Sequence, residues 1–164
     1  MPLQHPVPGE HLKHFGDITV SFALLESCVK NLAESLLGTS QRVGQIVTAE
    51  LSFKALRDLT ISLYLERNGE DDDFAQLRLL TQRLKEIEEK RNQMTHSLWA
   101  VGDDTGSITR IKASARERHG LQFRFEQIKS EDLASLAEDI KKLGEEIQVY
   151  WISLIKQGKA TNAV

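Results

Sequence analysis

The sequence predicts an all-α protein: an up-and-down four-helix bundle with a small β-hairpin inserted between the third and fourth helices. Three observations predict it. Apolar residues recur at alternating spacings of three and four along four long stretches, the period of helices that bury one face. Only 3 prolines and 10 glycines interrupt 164 residues, and every proline falls in the first eight positions, which leaves long segments free to be helical. The connections between the first three stretches are short, which places successive helices antiparallel.

Residues 1–16 hold Pro2, Pro6 and Pro8 without sustained periodicity and read as an N-terminal arm. His11-Leu12-Lys13-His14 has the spacing of a metal-binding pair, but no carboxylate or cysteine is fixed beside it, so a solvated arm is the simpler account. Asp17 is a candidate cap for the first helix. Its buried face is Ile18, Phe22, Leu25, Val29, Leu32 and Leu36, and Gly38 ends it. The second helix is expected over 42–66, with a stripe running from Val43, Ile46 and Val47 to Leu63, and Asn68-Gly69 stops it. Glu70-Asp71-Asp72-Asp73 reads as carboxylates favouring a helix N-terminus; as a calcium loop it lacks alternating ligands. The third helix is expected over 72–99. Ile108–Lys112 and Leu121–Phe125 read as the two strands of the hairpin. Ser130-Glu131-Asp132 opens the last helix, with its stripe from Leu133 to Leu154. The domain is therefore expected over residues 17–157, with 158–164 as a polar tail.

The balance of 40% hydrophobic and 27% charged residues is that of an ordinary globular domain. A net charge of -3 excludes generic tight binding to a polyanion, so a nucleic-acid ligand needs a local basic patch. Residues 107–124 supply one, with five Lys/Arg and His119 against a single acid. Cys28, alone in the chain, excludes an internal disulfide and a multi-cysteine zinc site, and reads as a buried thiol. No run reaches 18 apolar residues and no signal peptide is evident, so a cytoplasmic protein without a membrane segment is expected.

Glu89-Lys90-Arg91-Asn92-Gln93-Met94-Thr95-His96-Ser97-Leu98-Trp99 organises every functional expectation. The apolar series Leu77, Leu80, Leu84, Ile87, Met94 and Leu98 is broken at Arg91, where the period asks for an apolar residue. An unpaired guanidinium buried there costs on the order of several kcal/mol, so it must snorkel out or meet an anion. Asn92 and His96, four apart, share one face away from the seam.

Arg91-Asn92 and then His96, late in the third helix of a four-helix bundle, resembles the HEPN superfamily, whose motif is an arginine, four to six residues, then a histidine, with a polar residue, commonly asparagine, after the arginine. The resemblance covers about residues 17–157. It implies a metal-independent endoribonuclease, without cofactor or metal, that works as a homodimer with two motifs in one cleft. It implies that His96 handles the proton of a ribose 2′-hydroxyl or of the leaving oxygen, that Arg91 holds the scissile phosphate, and that Asn92 orients one or the other. The products are a 2′,3′-cyclic phosphate and a 5′-hydroxyl. Arg110, Lys112, Arg116, Arg118 and His119 are the expected RNA-binding residues, if the hairpin overhangs the motif; at the far end they are a solvated face. An antitoxin or other regulatory protein is a further implied class of partner. One subgroup carries a modified tyrosine two residues after the histidine; here that position is Leu98.

Two other functions are open. The chain is alternatively a non-catalytic helical dimer, or a module that binds a nucleotide or a protein, with Arg91 paired to an acid such as Glu88. A carboxylate–histidine metal bundle is disfavoured, since no Glu-x-x-His pair exists. Trp99 stacks a base in one reading and packs the core in the other.

Overall fold

A computed structural model describes residues 5–104, 106–116 and 120–161. The elements run α1 (Gly9–Leu37), α2 (Gln41–Thr48), α3 (Phe53–Asn68), α4 (Asp72–Thr95), β1 (Leu98–Val101), β2 (Ser107–Arg116), β3 (Gly120–Lys129) and α5 (Ser130–Lys156). Five helices and a three-stranded antiparallel sheet of order β1-β2-β3 replace the expected four-helix bundle with a hairpin, so the predicted fold class is corrected.

The first difference lies in α1. The helix starts directly after Pro8 rather than at Asp17. His11 and Phe15 continue the stripe of Ile18 and Phe22 at spacings of four, three and four. His11 is 1% exposed and hid the extension because it is polar. Its ring nitrogens have no partner among the described residues. Asp17 lies mid-helix and accepts from Lys141 of α5 at 3.0 Å. Gly38 ends α1 as expected, in the left-handed conformation at φ 67°, with its N–H donating to the Glu34 carbonyl.

The second difference decides the topology. The stretch expected as one helix over 42–66 breaks at 49–52, and Ser52 caps α3 by accepting from the Ala55 N–H at 3.2 Å. α2 leans on α1 through small and polar groups. An added Cβ on Gly44 would meet Glu34 at 3.0 Å, and Thr48 donates to Glu34 at 2.7 Å. Val43, Ile46 and Val47, expected in the core, are exposed. The return path is thus used up by α2 and its linker, and α3 runs parallel to α1: Phe22 meets Phe53 at 4.9 Å, and Arg67 donates to the Leu36 carbonyl. α4 runs back along both α3 and α5, with Arg57 on Glu88 and Tyr150 on Asp73. α5 is parallel to α1, with Lys141 on Asp17 and Trp151 donating to Ser35 at 2.7 Å. Three long helices point one way and one the other.

The third difference is at the end of α4. The helix stops at Thr95, not at residue 99, and His96 is its C-cap. Thr95 and Ser97 donate their hydroxyls to the Arg91 and Gln93 carbonyls, which satisfies the last turn from the side chains. Leu98–Val101 then becomes an edge strand, paired Leu98↔Ile111 through Val101↔Ile108. β2 and β3 pair from Ser107↔Lys129 to Arg116↔Gly120, twice the strand length expected. Ile108 and Ile128 bury the root of this hairpin in the core, while Leu121, Phe123 and Phe125 farther out are exposed.

Among the described residues, no helix is long and apolar enough to cross a membrane. Cys28 is a buried free thiol. The acidic run serves the α4 N-terminus: Asp71 is the N-cap and accepts from the Phe74 N–H at 2.8 Å. The C-terminal segment is structural as far as it is described. Lys159 donates to Asp71 at 2.8 Å and also to Asp73, Ala160 is buried, and the Thr161 N–H donates to the Ser35 carbonyl at 3.0 Å.

The Lys159 ammonium, then the Phe74 N–H, hold the Asp71 carboxyl down at about 2, below its ordinary 3.8. A depressed carboxyl stabilises the fold above its unfolded pKa, and that contribution is lost as pH falls through the folded value. Asp71→Asn keeps a capping oxygen but loses the charge. It is expected to unfold at lower denaturant concentration than wild type at neutral pH, the gap closing as pH drops from about 4 to about 2. Denaturant titrations across that window check it, and a pH-independent gap contradicts it.

Candidate functional site at the end of α4

Phe22 of α1 fixes the last turns of α4. One contact of its ring is Phe53, at 4.9 Å and 60°. Its other is the Arg91 guanidinium, 4.9 Å from the centroid. Arg57 lies over Phe53 at 5.6 Å and pairs with Glu88 at 2.8 Å, the two side chains only 8% and 20% exposed. Glu88, the acid that sequence spacing offered to Arg91, is therefore bound to Arg57 instead. Arg91 makes no ion pair among the described residues. Its Nη1 donates to Asn92 Oδ1 at 2.9 Å, and its Nε is buried without a partner. The break in the α4 stripe is thus filled by a cation laid on an aromatic ring.

Asn92 and His96 emerge together, as their spacing predicts. They line an open depression of about 550 Å³ with Leu98, Ile111, Lys112 and Phe123. The depression lies where α4 turns into β1, beside the edge of β2 beyond Ile111, which β1 does not cover. His96 is exposed on the helix C-cap, its N–H donating to the Asn92 carbonyl at 3.0 Å. Asn92 also borders a second depression of about 590 Å³ between α3 and α4, lined by Arg57, Arg78, Lys85 and Glu88. Asn92 is the ridge between the two, and Arg91 lies behind it.

The expected RNA-binding residues divide. Lys112 lines the His96 depression. Arg110 is committed to Glu126 and to Gln93 Oε1, the latter at 2.8 Å. Arg116 ends β2, opposite Gly120. Arg118 and His119 lie outside the described residues. Trp99 packs edge-on against Phe15 at 5.0 Å and donates to the Met94 carbonyl, so it belongs to the core. Sequence reasoning missed Phe123, whose ring walls the depression. Its signal was present: Phe123 and Phe125 flank Arg124 with period two, which sets both rings on one face. His11 and His14 belong to no group of three metal-binding side chains, and no such group occurs among the described residues.

Compared with known families the chain matches none, and no curated protein and no solved structure matches it.

The two arginines predict opposite stability effects. Glu88→Ala strands the buried Arg57 and is expected to cost about 3–5 kcal/mol. Arg91→Leu gives up a cation–π contact of about 0.5–1 kcal/mol but removes a buried unpaired donor that costs about 1–3 kcal/mol. It is expected to melt at or above the wild-type temperature. Thermal melts of the three proteins decide; an Arg91→Leu variant as unstable as Glu88→Ala contradicts this assignment.

Proposed function

We propose that the protein is a metal-independent endoribonuclease with the Asn92/His96 depression as its active site, working as a homodimer in the cytoplasm. The observation that carries this is the convergence of the His96 imidazole and the Asn92 carboxamide on one open depression, with Lys112 at its rim and the Arg91 guanidinium donating to the carboxamide oxygen. Because Arg91 occupies Asn92 Oδ1, the amide Nδ2 is left to donate to a non-bridging phosphate oxygen. Arg91 is then a positioning residue, and Asn92 bears on the phosphate charge.

In the reaction, the His96 imidazole takes the proton of a ribose 2′-hydroxyl, and the 2′-oxygen attacks phosphorus. The bond from phosphorus to the 5′-oxygen breaks, and that oxygen receives a proton from an imidazolium. A 2′,3′-cyclic phosphate and a 5′-hydroxyl result. One chain brings one histidine to the depression; a second copy provides the other, one for each proton transfer. Imidazole is suited to both roles near neutral pH.

The alternative is a non-catalytic dimer or a module binding a nucleotide or protein. It is favoured by one observation, that the Arg91 guanidinium lies over Phe22 rather than in the depression.

Cleavage of single-stranded RNA by wild type, His96→Ala, Asn92→Ala and Arg91→Ala tests the proposal. His96→Ala is expected to lower the rate by about 10²–10⁴. Arg91→Ala and Asn92→Ala are expected to lose similar amounts, and the double variant to be little worse than either, since the two act as one unit. Activity is expected to survive a chelator, and sedimentation at micromolar concentration to show a dimer. Cleavage abolished by chelation and restored by manganese contradicts the mechanism. A monomer, or a wild type without cleavage, favours the alternative.

A further inference from the structure

The β2–β3 hairpin exchanges its apolar face part-way along its length. Side chains alternate between the two faces of a strand, and residues directly opposite in the ladder share a face. At the root, Ile108 and Ile128 are partners and are buried in the core. On the opposite face there, Ser107, Thr109 and Gln127 are polar and bond one another. Farther out the order reverses. The face of Ile108 goes on to Arg110, Lys112, Arg124 and Glu126. The other goes on to Ile111, Ala113, Leu121, Phe123 and Phe125, joined from β1 by Leu98. Leu98, Leu121, Phe123 and Phe125 are 54–69% exposed. The outer apolar face is thus not a continuation of the surface that packs on the helices, and the chain's own core does not cover it. From the row Leu98–Ile111–Phe125 outward it carries no charged side chain among the described residues. A protein keeps an exposed apolar patch of this kind where something covers it.

We propose that a second copy of this chain covers it, the two sheets packing face to face about a twofold axis. An isologous contact sets the same patch against itself, so the patch must be complementary to its own copy. A charge-free apolar face meets that condition, whereas a charged one meets its like. The net charge of -3 makes two copies repel, and this face lets them meet without burying an unpaired charge. The area also suffices. Four side chains of roughly 150–200 Å² each, exposed to the extent given above, offer on the order of 400–500 Å² per copy. Two copies then bury about 800–1,000 Å² through these four alone, close to the ~1,000 Å² that a specific interface needs, before Ile111, Ala113 and the strand backbones are counted. Leu98, Ile111, Ala113 and Phe123 also line the depression of Asn92 and His96. A copy seated on this face therefore brings its own His96 to the margin of the same cleft. This last consequence rests on the ribonuclease proposal above, and it makes the sheet the surface through which the second histidine arrives.

The test is sedimentation of the full chain over a concentration series, beside an RNA cleavage assay. Leu121→Glu/Phe125→Glu is the main variant, because neither residue lines the depression and both are exposed. It is expected to sediment as a monomer at micromolar concentration, where wild type is a dimer, with unchanged circular dichroism. Phe125→Ala is a milder change and is expected to weaken the dimer about tenfold or more. Arg124→Glu on the other face of the sheet, and Ile46→Glu on the exposed side of α2, are expected to leave the dimer intact. Added salt is expected to leave it intact as well, since no charge is paired across the face. Cleavage is expected to be lost with the dimer in Leu121→Glu/Phe125→Glu, and in wild type to fall on dilution below the dissociation constant. A monomeric wild type overturns the interface, as does a dimer that survives Leu121→Glu/Phe125→Glu or that dissociates with Arg124→Glu or Ile46→Glu instead. A dimer dissociated by Leu121→Glu/Phe125→Glu, in a wild type that does not cleave RNA, upholds the interface while overturning the nuclease proposal. Cleavage by a wild type whose dimer survives that variant does the reverse.

Discussion

The Phe22 ring is the contact on which the rest of the structure turns. It reaches α3 through Phe53 and α4 through Arg91. α1 supplies the face against which α3, α4 and α5 pack, and Phe22 is its meeting point with the helices that carry the buried Arg57 and the half-buried Arg91. Arg57 and Arg91 both lie over aromatic rings there, yet among the described residues only Arg57 has a carboxylate. That asymmetry separates a structural arginine from one that spends its hydrogen bond on the side chain beside it. Through Arg91, the packing of the bundle sets the orientation of the Asn92 amide, and so the polar lining of the depression.

The position of His96 depends on how α4 ends. A helix continued to residue 99 would turn His96 along the helix surface; ended at Thr95 by its own hydroxyl residues, it leaves His96 on a cap facing the sheet. The strand that follows covers β2 only as far as Ile111, and the uncovered edge becomes the far wall of the depression. A long hairpin rooted by Ile108 and Ile128 then carries Phe123 to that wall. Helix termination, strand length and core packing thus converge on one place.

Much of this was legible in the sequence. The stripes of α1 and α5 are buried as expected, and that of α4 holds as far as Ile87, with Met94 half-buried and Leu98 exposed on β1; the anomaly at Arg91 is real, since no carboxylate among the described residues meets it. The shared face of Asn92 and His96 follows from a spacing of four. The break at 49–52 was not legible, because Ala49-Glu50-Leu51-Ser52 contains neither glycine nor proline and the apolar spacing of four from Val47 to Leu51 runs straight through it. There the deciding interactions are tertiary, between Glu34, Gly44 and Thr48. The early start of α1 was masked by a buried histidine, and β1 by a helical period that ran through Leu98. Within the site, Lys112 was found by charge, whereas Phe123 was read only as part of a strand, because alternation alone does not say which face of a strand meets water.

The central claim is that a ribose 2′-oxygen, activated at His96, is the nucleophile. The most direct measurement offers the protein an all-deoxy oligonucleotide holding a single ribonucleotide, and identifies the ends formed. The account predicts one cut, on the 3′ side of that ribose, leaving a 2′,3′-cyclic phosphate and a 5′-hydroxyl, with no cut by His96→Ala. Equal cleavage of the all-deoxy strand, or ends bearing a 5′-phosphate, contradicts it.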